Sequence, residues 1–393
     1  MYTKCFFRST RLSFILSFLF FNTQAQVRPG TQTNGSEVTN VIVAVPFLLI
    51  TPDARAGAMG EAGVAVLQDA NVMSINPSKL AYLEDPYGFS ISYSPWLNNL
   101  NSAINLVYLS GYYKVAENGA IGASLRYFSL GTVQLFDRDL QDLGTYRPNE
   151  FALDVAYARK FGDFFSLGTA LRYIRSDLSS GKFSAGQKTK TGNALAVDVS
   201  GSLRKETVFL GKDAILSLGI NISNIGTKVS YAEGGDKFFL PANLKIGGAS
   251  TFLLDGSNQF TFALDLNKLL VPTQPVYDVN GQIIRGSDPD VSVPAGIFRS
   301  FNDAPGGATE EFREVSIAAG LEYSYNKQFA IRCGYFYEDP KKGDRRYFTT
   351  GAGLSYQSFS LDLAYLISGV QNSPLANTLR FSLIFKPSKA GGL

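Results

Sequence analysis

The sequence has 393 residues, 45% hydrophobic and only 18% charged, with 36 basic against 33 acidic side chains. The formal charge of +3 carries neither the basic footprint of a nucleic-acid binder nor an acidic tail. With no histidine and only two cysteines, Cys5 and Cys333, the chain lacks the parts for Ser-His-Asp or Cys-His nucleophiles, His-bearing or thiolate zinc sites, and a disulfide framework.

Residues 1–25 have the form of a secretory signal peptide. Lys4, Arg8 and Arg11 precede an apolar stretch from Leu12 to Phe21, and Ala25 suits cleavage. That stretch is too short to span a bilayer as a helix. Cleavage after Ala25 leaves equal numbers of acidic and basic residues and Cys333 as the lone cysteine. Residues 26–40 are polar and rich in Thr, Gln, Asn and Gly, the composition of a flexible linker. Residues 41–86 are apolar, rich in Gly and Ala, and not strand-periodic. They are expected to form a compact leader with a short helix over 53–66, interrupted near Gly57, Gly60 and Gly63, that has Asp53 as its N-cap. The other long apolar run, Val41 to Ile50, is broken by Pro46. No apolar stretch is long enough for a transmembrane helix.

From Tyr87 onward the pattern has period two. Phe359, Leu361, Leu363, Tyr365 and Ile367 share one strand face, and Ser360, Asp362 and Ala364 the other. Phe151, Leu153, Val155 and Tyr157 alternate with Ala152, Asp154, Ala156 and Ala158 in the same way. Strands are expected near 87–97, 102–115, 119–130, 149–160, 164–176, 190–204, 213–225, 241–253, 258–268, 312–325, 328–337, 345–356, 358–368 and 376–386. Most match the length that a tilted strand needs to cross a bilayer. Short gaps, such as 116–118, 162–163 and 255–257, alternate with long ones, such as 131–148, 177–189 and 269–311. This is the pattern of outer-membrane barrels, with periplasmic turns and extracellular loops. The fold class is therefore all-β: a transmembrane antiparallel barrel of about 14 strands over 87–386. Residues 41–86 form a plug inside it, 387–393 a C-terminal tail, and both termini are placed in the periplasm.

On the small-residue face, Arg126, Asp154, Arg172, Asp198, Asp265, Glu322, Arg332, Asp362 and Arg380 point into the lumen. They are expected to pair with one another and with the plug, as a polar barrel interior requires. Asp53 and Arg55 are the plug charges placed to meet them. The 269–311 segment, with five prolines and apolar residues that include Leu270, Phe298 and Phe301, is expected to be an ordered loop that contacts a partner. Cys333 falls on the lipid-facing side.

The leader carries Pro46-Phe47-Leu48-Leu49-Ile50-Thr51-Pro52-Asp53-Ala54-Arg55, then Met59-Gly60-Glu61-Ala62-Gly63, then Asn76-Pro77-Ser78-Lys79-Leu80, with Tyr93-Ser94-Pro95-Trp96-Leu97 to follow. These segments resemble the PorV family of the type IX secretion system of Bacteroidota, outer-membrane barrels of FadL-like fold. The Asp-x-Arg-x-x-x-Met-Gly and Asn-Pro elements occur also in PorQ-like sister families. Beyond residue 100 the resemblance is one of architecture and length. The resemblance implies a non-enzymatic protein without cofactor or metal. It would collect cargo bearing C-terminal signal domains from a giant translocon barrel and pass it to a surface attachment complex with a PorU-type sortase. Its outer face would meet outer-membrane lipid and lipopolysaccharide. Two other readings are a FadL-like channel for hydrophobic compounds and, third, a lipid A deacylase, against which the missing histidine weighs.

Overall fold

A computed structural model describes residues 41–66, 69–97, 103–136, 141–178, 183–184, 187–370, 373 and 375–387. The expected signal peptide, most of the tail and the linker lie outside these residues. Fourteen strands form one closed barrel. They are β1 (Tyr87–Pro95), β2 (Ile104–Ala116), β3 (Gly119–Leu130), β4 (Asn149–Phe161), β5 (Phe165–Asp177), β6 (Gly192–Phe209) and β7 (Lys212–Gly226). The second half comprises β8 (Asn243–Leu253), β9 (Asn258–Leu269), β10 (Val315–Tyr325), β11 (Phe329–Tyr337), β12 (Arg346–Tyr356), β13 (Phe359–Ser368) and β14 (Leu379–Phe385). Each strand pairs antiparallel with its neighbour, and β1 closes on β14 from Phe89↔Phe385 to Tyr93↔Phe381. Closure leaves no unpaired sheet edge, which hydrocarbon would not tolerate.

The period-two pattern sets the two faces of the wall. Along β5, exposed and buried residues alternate from end to end. Phe359, Leu361, Leu363, Tyr365 and Ile367 are exposed on the outside, and so is Cys333. Ala152, Asp154, Ala156 and Ala158 are buried inside. One end of the barrel carries tight connections at 117–118, 162–164, 210–211, 254–257, 326–328 and 357–358. The other end carries the long loops. Strand β6 runs to Phe209, past the expected end at 204, because its hairpin with β7 continues to Phe209↔Lys212. The long connection after β9 is ordered: it holds the hairpin pair 276–277/283–285 and two helices, α2 (Val293–Arg299) and α3 (Ala308–Arg313). Leu270 and Val271 are buried there with Phe239 and Ala242, whereas Phe298 and Phe301 are exposed.

Residues 46–66 and 69–83 fill the lumen as short helical turns: α1 (Ala54–Ala58) and 3-10 turns at Pro46–Leu49, Ala70–Ser74 and Pro77–Tyr82. Asp53 is the N-cap of α1, its Oδ1 accepting from the Ala56 amide at 2.8 Å. The helix stops at Ala58 and does not resume toward 66; the break falls at Gly60, one of the expected interruptions, where Gly60 and Glu61 both have positive φ. The leader runs through the lumen lengthwise. Val41 and Val43 pack at the loop end against Phe239, Leu270 and Val271, and Ala44 donates to the Phe239 carbonyl at 2.8 Å. The leader then reaches β1 at the turn end, where the Pro86 carbonyl accepts from Lys114. Phe385 also lies at the turn end, so residues 41 and 385 occupy opposite ends of the barrel. A proline-broken leader that fills a lumen spans its length instead of folding back on itself.

Candidate functional site

The plug meets the wall through three kinds of contact. The first is steric. Gly168, Gly219, Gly320 and Gly334 lie on β5, β7, β10 and β11, facing inward. A Cβ on Gly334 would overlap the Gly60 amide, one on Gly219 the Val64 carbonyl, and one on Gly168 the Ser78 backbone; on Gly320 it would sit 2.6 Å from the Met59 carbonyl. The wall therefore lets plug backbone touch strand backbone at several points around its circumference. Met59 and Gly60 are buried at this seat.

The second contact is ionic. Arg55 donates to Glu322 from Nε (3.0 Å) and Nη2 (2.7 Å). Glu322 also accepts from Arg332 at 2.5 Å, and Arg332 reaches Asp362 at 2.6 Å. Arg380 pairs with Glu61 at 3.0 Å and lies over the Trp96 ring, 5.5 Å from its centroid. Bidentate Arg–carboxylate geometry fixes orientation as well as charge. Asp53, paired with the wall in the sequence reading, forms no ion pair among the described residues. It caps α1, and the neighbouring Ala54 amide donates to Ser382 Oγ at 2.9 Å. Glu61 takes the wall arginine instead, because the turn at Gly60 projects it toward β14.

The third contact is hydrogen bonding outside the ion pairs. Gly63 and Val64 amides donate to Asp265 Oδ2 at 2.7 and 2.9 Å. Gly60 donates to Thr349 Oγ1 at 2.8 Å. Asn76 Nδ2 donates to the Val64 carbonyl (2.8 Å) and Ser202 Oγ (3.0 Å), while its Oδ1 accepts from Ser78 and N-caps the turn that Pro77 opens. Tyr82 donates to the Phe164 carbonyl at 2.6 Å. Lys79 is wholly buried and donates to the Ala65 carbonyl at 2.5 Å. Burial, with Arg204 and Arg55 nearby, pushes its pKa down to about 7.

The remaining predicted residues fall into place around these contacts. Pro46 opens the first 3-10 turn, Phe47 stacks on Phe128 at 6.0 Å, and Pro52 is buried just ahead of α1. Gly63 supplies one of the amides on Asp265. Arg126 donates to the Leu48 carbonyl at 2.7 Å. Asp154 and Asp198 pair with Arg172 at 2.5 and 3.1 Å within the wall, and Asn224 also accepts from Arg172. The lumen keeps two chambers, one on each side of the plug waist. The turn-end chamber, about 350 Å³, is lined by Arg55, Tyr82, Arg204 and Glu322 among others. The loop-end chamber, about 340 Å³, is lined by Thr51, Glu61, Lys245 and Asn267 among others. The glycine seats, Glu61 and Lys79 were missed as site residues in the sequence reading. The legible signal for the glycines is their position: each falls on the inward parity of its strand, and at Gly168, Gly219 and Gly320 both neighbours at i±2 are small or polar.

This geometry has known counterparts. The barrel is similar to the CymD monoaromatic hydrocarbon channel, at 13% identity and a TM-score of 0.50, covering 86% of this chain and 98% of that one. It is also similar to the Ralstonia pickettii toluene transporter TbuX, at 10% identity and a TM-score of 0.49, covering 86% and 98%. A Pseudomonas aeruginosa FadL homologue aligns at 10% identity and a TM-score of 0.46, covering 88% and 99%. At such identities the first likeness shows the fold alone. No curated protein matches the chain. The family model for the type IX secretion system protein PorV matches residues 32–276, which span the plug and the wall through β9. The chain therefore belongs to the PorV family, as an outer-membrane barrel component of the type IX secretion system.

Proposed function

We propose that the barrel is a plugged, non-enzymatic docking protein. It collects cargo bearing C-terminal signal domains from the translocon barrel and passes it to the surface attachment complex with its PorU-type sortase. The observation that carries this reading is the seat of the plug. Backbone-to-backbone contact at four wall glycines, together with the Arg55–Glu322 and Glu61–Arg380 pairs, fills the waist of the lumen. A wall so filled favours work at its outer surfaces over conduction. In this reading the turns and the C-terminus face the periplasm. The ordered connection between β9 and β10, with Phe298 and Phe301 exposed, lies on the extracellular side and contacts cargo or translocon. The lumen charges and the leader motif act as the fastening of the plug.

The test is a pull-down of the intact protein from native membranes, with mass spectrometry. Recovery of a giant translocon barrel together with surface cargo supports the docking reading. Recovery of neither, alongside uptake of a hydrophobic probe by cells expressing the barrel, favours the channel reading.

A further inference from the structure

The loop-end chamber holds a feature that plug fastening does not use. Its lining includes six ionised side chains: Glu61, Lys245, Glu314, Glu338, Lys342 and Arg345. Five of them are paired inside the protein. Glu61 meets Arg380 at 3.0 Å, Glu338 meets Arg345 at 2.8 Å, and Glu314 meets Lys342 at 2.9 Å and Lys268 at 2.7 Å. Lys245 has neither an ion pair nor a hydrogen bond among the described residues. The carboxylate whose field it shares, Asp265, already accepts from two plug amides.

The neighbours of Lys245 are set by register. Across β7, β8, β9 and β10 the inward positions Asn221, Lys245, Asn267 and Ser316 stand side by side. Asn243 lies two residues from Lys245 on the same face of β8 and lines the same chamber. The side chains of Asn243, Asn267 and Ser316 form no hydrogen bond within the described protein. An ammonium flanked by neutral donors in a partly enclosed space is an anion-binding arrangement. One cation matches one negative charge, which suits a carboxylate better than a phosphate dianion. About 340 Å³ falls in the range of small-molecule sites.

We propose that this chamber binds a small carboxylate-bearing solute, with Lys245 as counter-ion and Asn243, Asn267 and Ser316 as donors. The site goes beyond the docking role and does not depend on it.

The test uses the full protein purified in detergent and isothermal titration calorimetry, with D-glucuronate as probe and D-glucose as its uncharged counterpart. Saturable binding of glucuronate and none of glucose is expected. Lys245→Met should weaken the affinity about tenfold or more, and Lys245→Arg should retain most of it. Heat-modifiable migration on gels checks that each variant folds. If Lys245→Met does not fold, Asn267→Leu tests the same wall patch and should also weaken binding. Equal binding of the two sugars, no saturation up to about 10 mM, or unchanged affinity in a folded variant would overturn the proposal.

Discussion

The two halves of the plug are seated in different ways. Residues 53–65 are fixed to the wall largely by charge: Arg55 on Glu322, Glu61 on Arg380, and two amides on Asp265. Residues 69–83 are fixed by neutral hydrogen bonds from Asn76, Ser78 and Tyr82 to the wall, with Asn221 reaching in to the Ile75 carbonyl. The wall explains the difference. The first half faces β9–β14, whose inward rows carry Asp265, Glu322, Arg332, Asp362 and Arg380. The second half faces β3–β7, where Asp154 and Asp198 are both paired with Arg172 inside the wall and leave Ser166, Ser200 and Ser202 to receive the plug. Charge fixes direction strongly but is expensive to break. Neutral bonds are cheaper to break and insensitive to salt.

The largest expected effect removes the comparison altogether. Deleting residues 41–86 while keeping the segment before them should leave an assembled barrel that conducts ions in planar bilayers where the intact protein does not. High conductance from the intact protein, unchanged by the deletion, would sink the plug as a seal. A smaller steric break keeps the plug and spoils its seat. Gly334→Leu, against the Gly60 amide, should raise conductance by loosening the first half. Gly168→Leu, against the Ser78 backbone, should do the same through the second half.

Next in size come the fastenings themselves. Glu322→Gln leaves Arg55 and Arg332 sharing one carboxylate fewer, and should cost about 3 kcal/mol. Asn76→Ala removes the turn cap and the bonds to Val64 and Ser202, and should cost about 2 kcal/mol. Denaturant midpoints in detergent rank the two. A larger loss from Asn76→Ala would reverse the comparison and place the main fastening in the neutral half.

How much of this was legible follows from what each feature depends on. The wall was readable because period two is imposed on every strand by the same pair of surroundings, lipid outside and small polar residues inside. Phe359 to Ile367 and Ala152 to Ala158 declare it locally. The closing pair β1–β14 follows from even strand number and needs no sequence signal of its own. The plug partners were less readable. Arg55 was placed against wall charge, but whether Glu322 or Asp362 receives it depends on plug rotation, which no local pattern records. Asp53 was legible as the helix cap but not as a cap alone: the expected wall pairing is replaced by its bond from the Ala56 amide in the first turn of α1. The path of the leader, from Val41 at the loop end to Tyr87 at the turn end, is set by packing with Phe239 and Leu270, hundreds of residues away in sequence.

A last test separates the halves by pH. In the first half, burial and the nearby Asp69 raise the Asp53 carboxyl from 3.8 to about 7, with Asp362 adding and Arg380 opposing. The folded protein therefore holds a proton there that the unfolded chain has lost above pH 3.8. Stability falls where the unfolded state binds fewer protons, so this group removes stability as pH rises from about 4 to 7 and adds no further slope above. In the second half, Lys79 is lowered from 10.5 to about 7. The unfolded chain binds the extra proton between those values, so this group adds stability as pH rises from about 7 to 10.5 and is flat below. Together they give a minimum near neutrality. Asp53→Asn keeps the acceptor for the Ala56 amide and cannot ionise, so it should flatten the acid limb alone. Lys79→Met should flatten the alkaline limb alone, at the cost of the bond to the Ala65 carbonyl. Melting temperatures of the three proteins in detergent, taken from pH 4 to 10, test this. If Asp53→Asn leaves the acid limb as steep as in the parent, Asp53 is ionised in the folded protein and the first half is fastened by one more charge than the ion pairs account for.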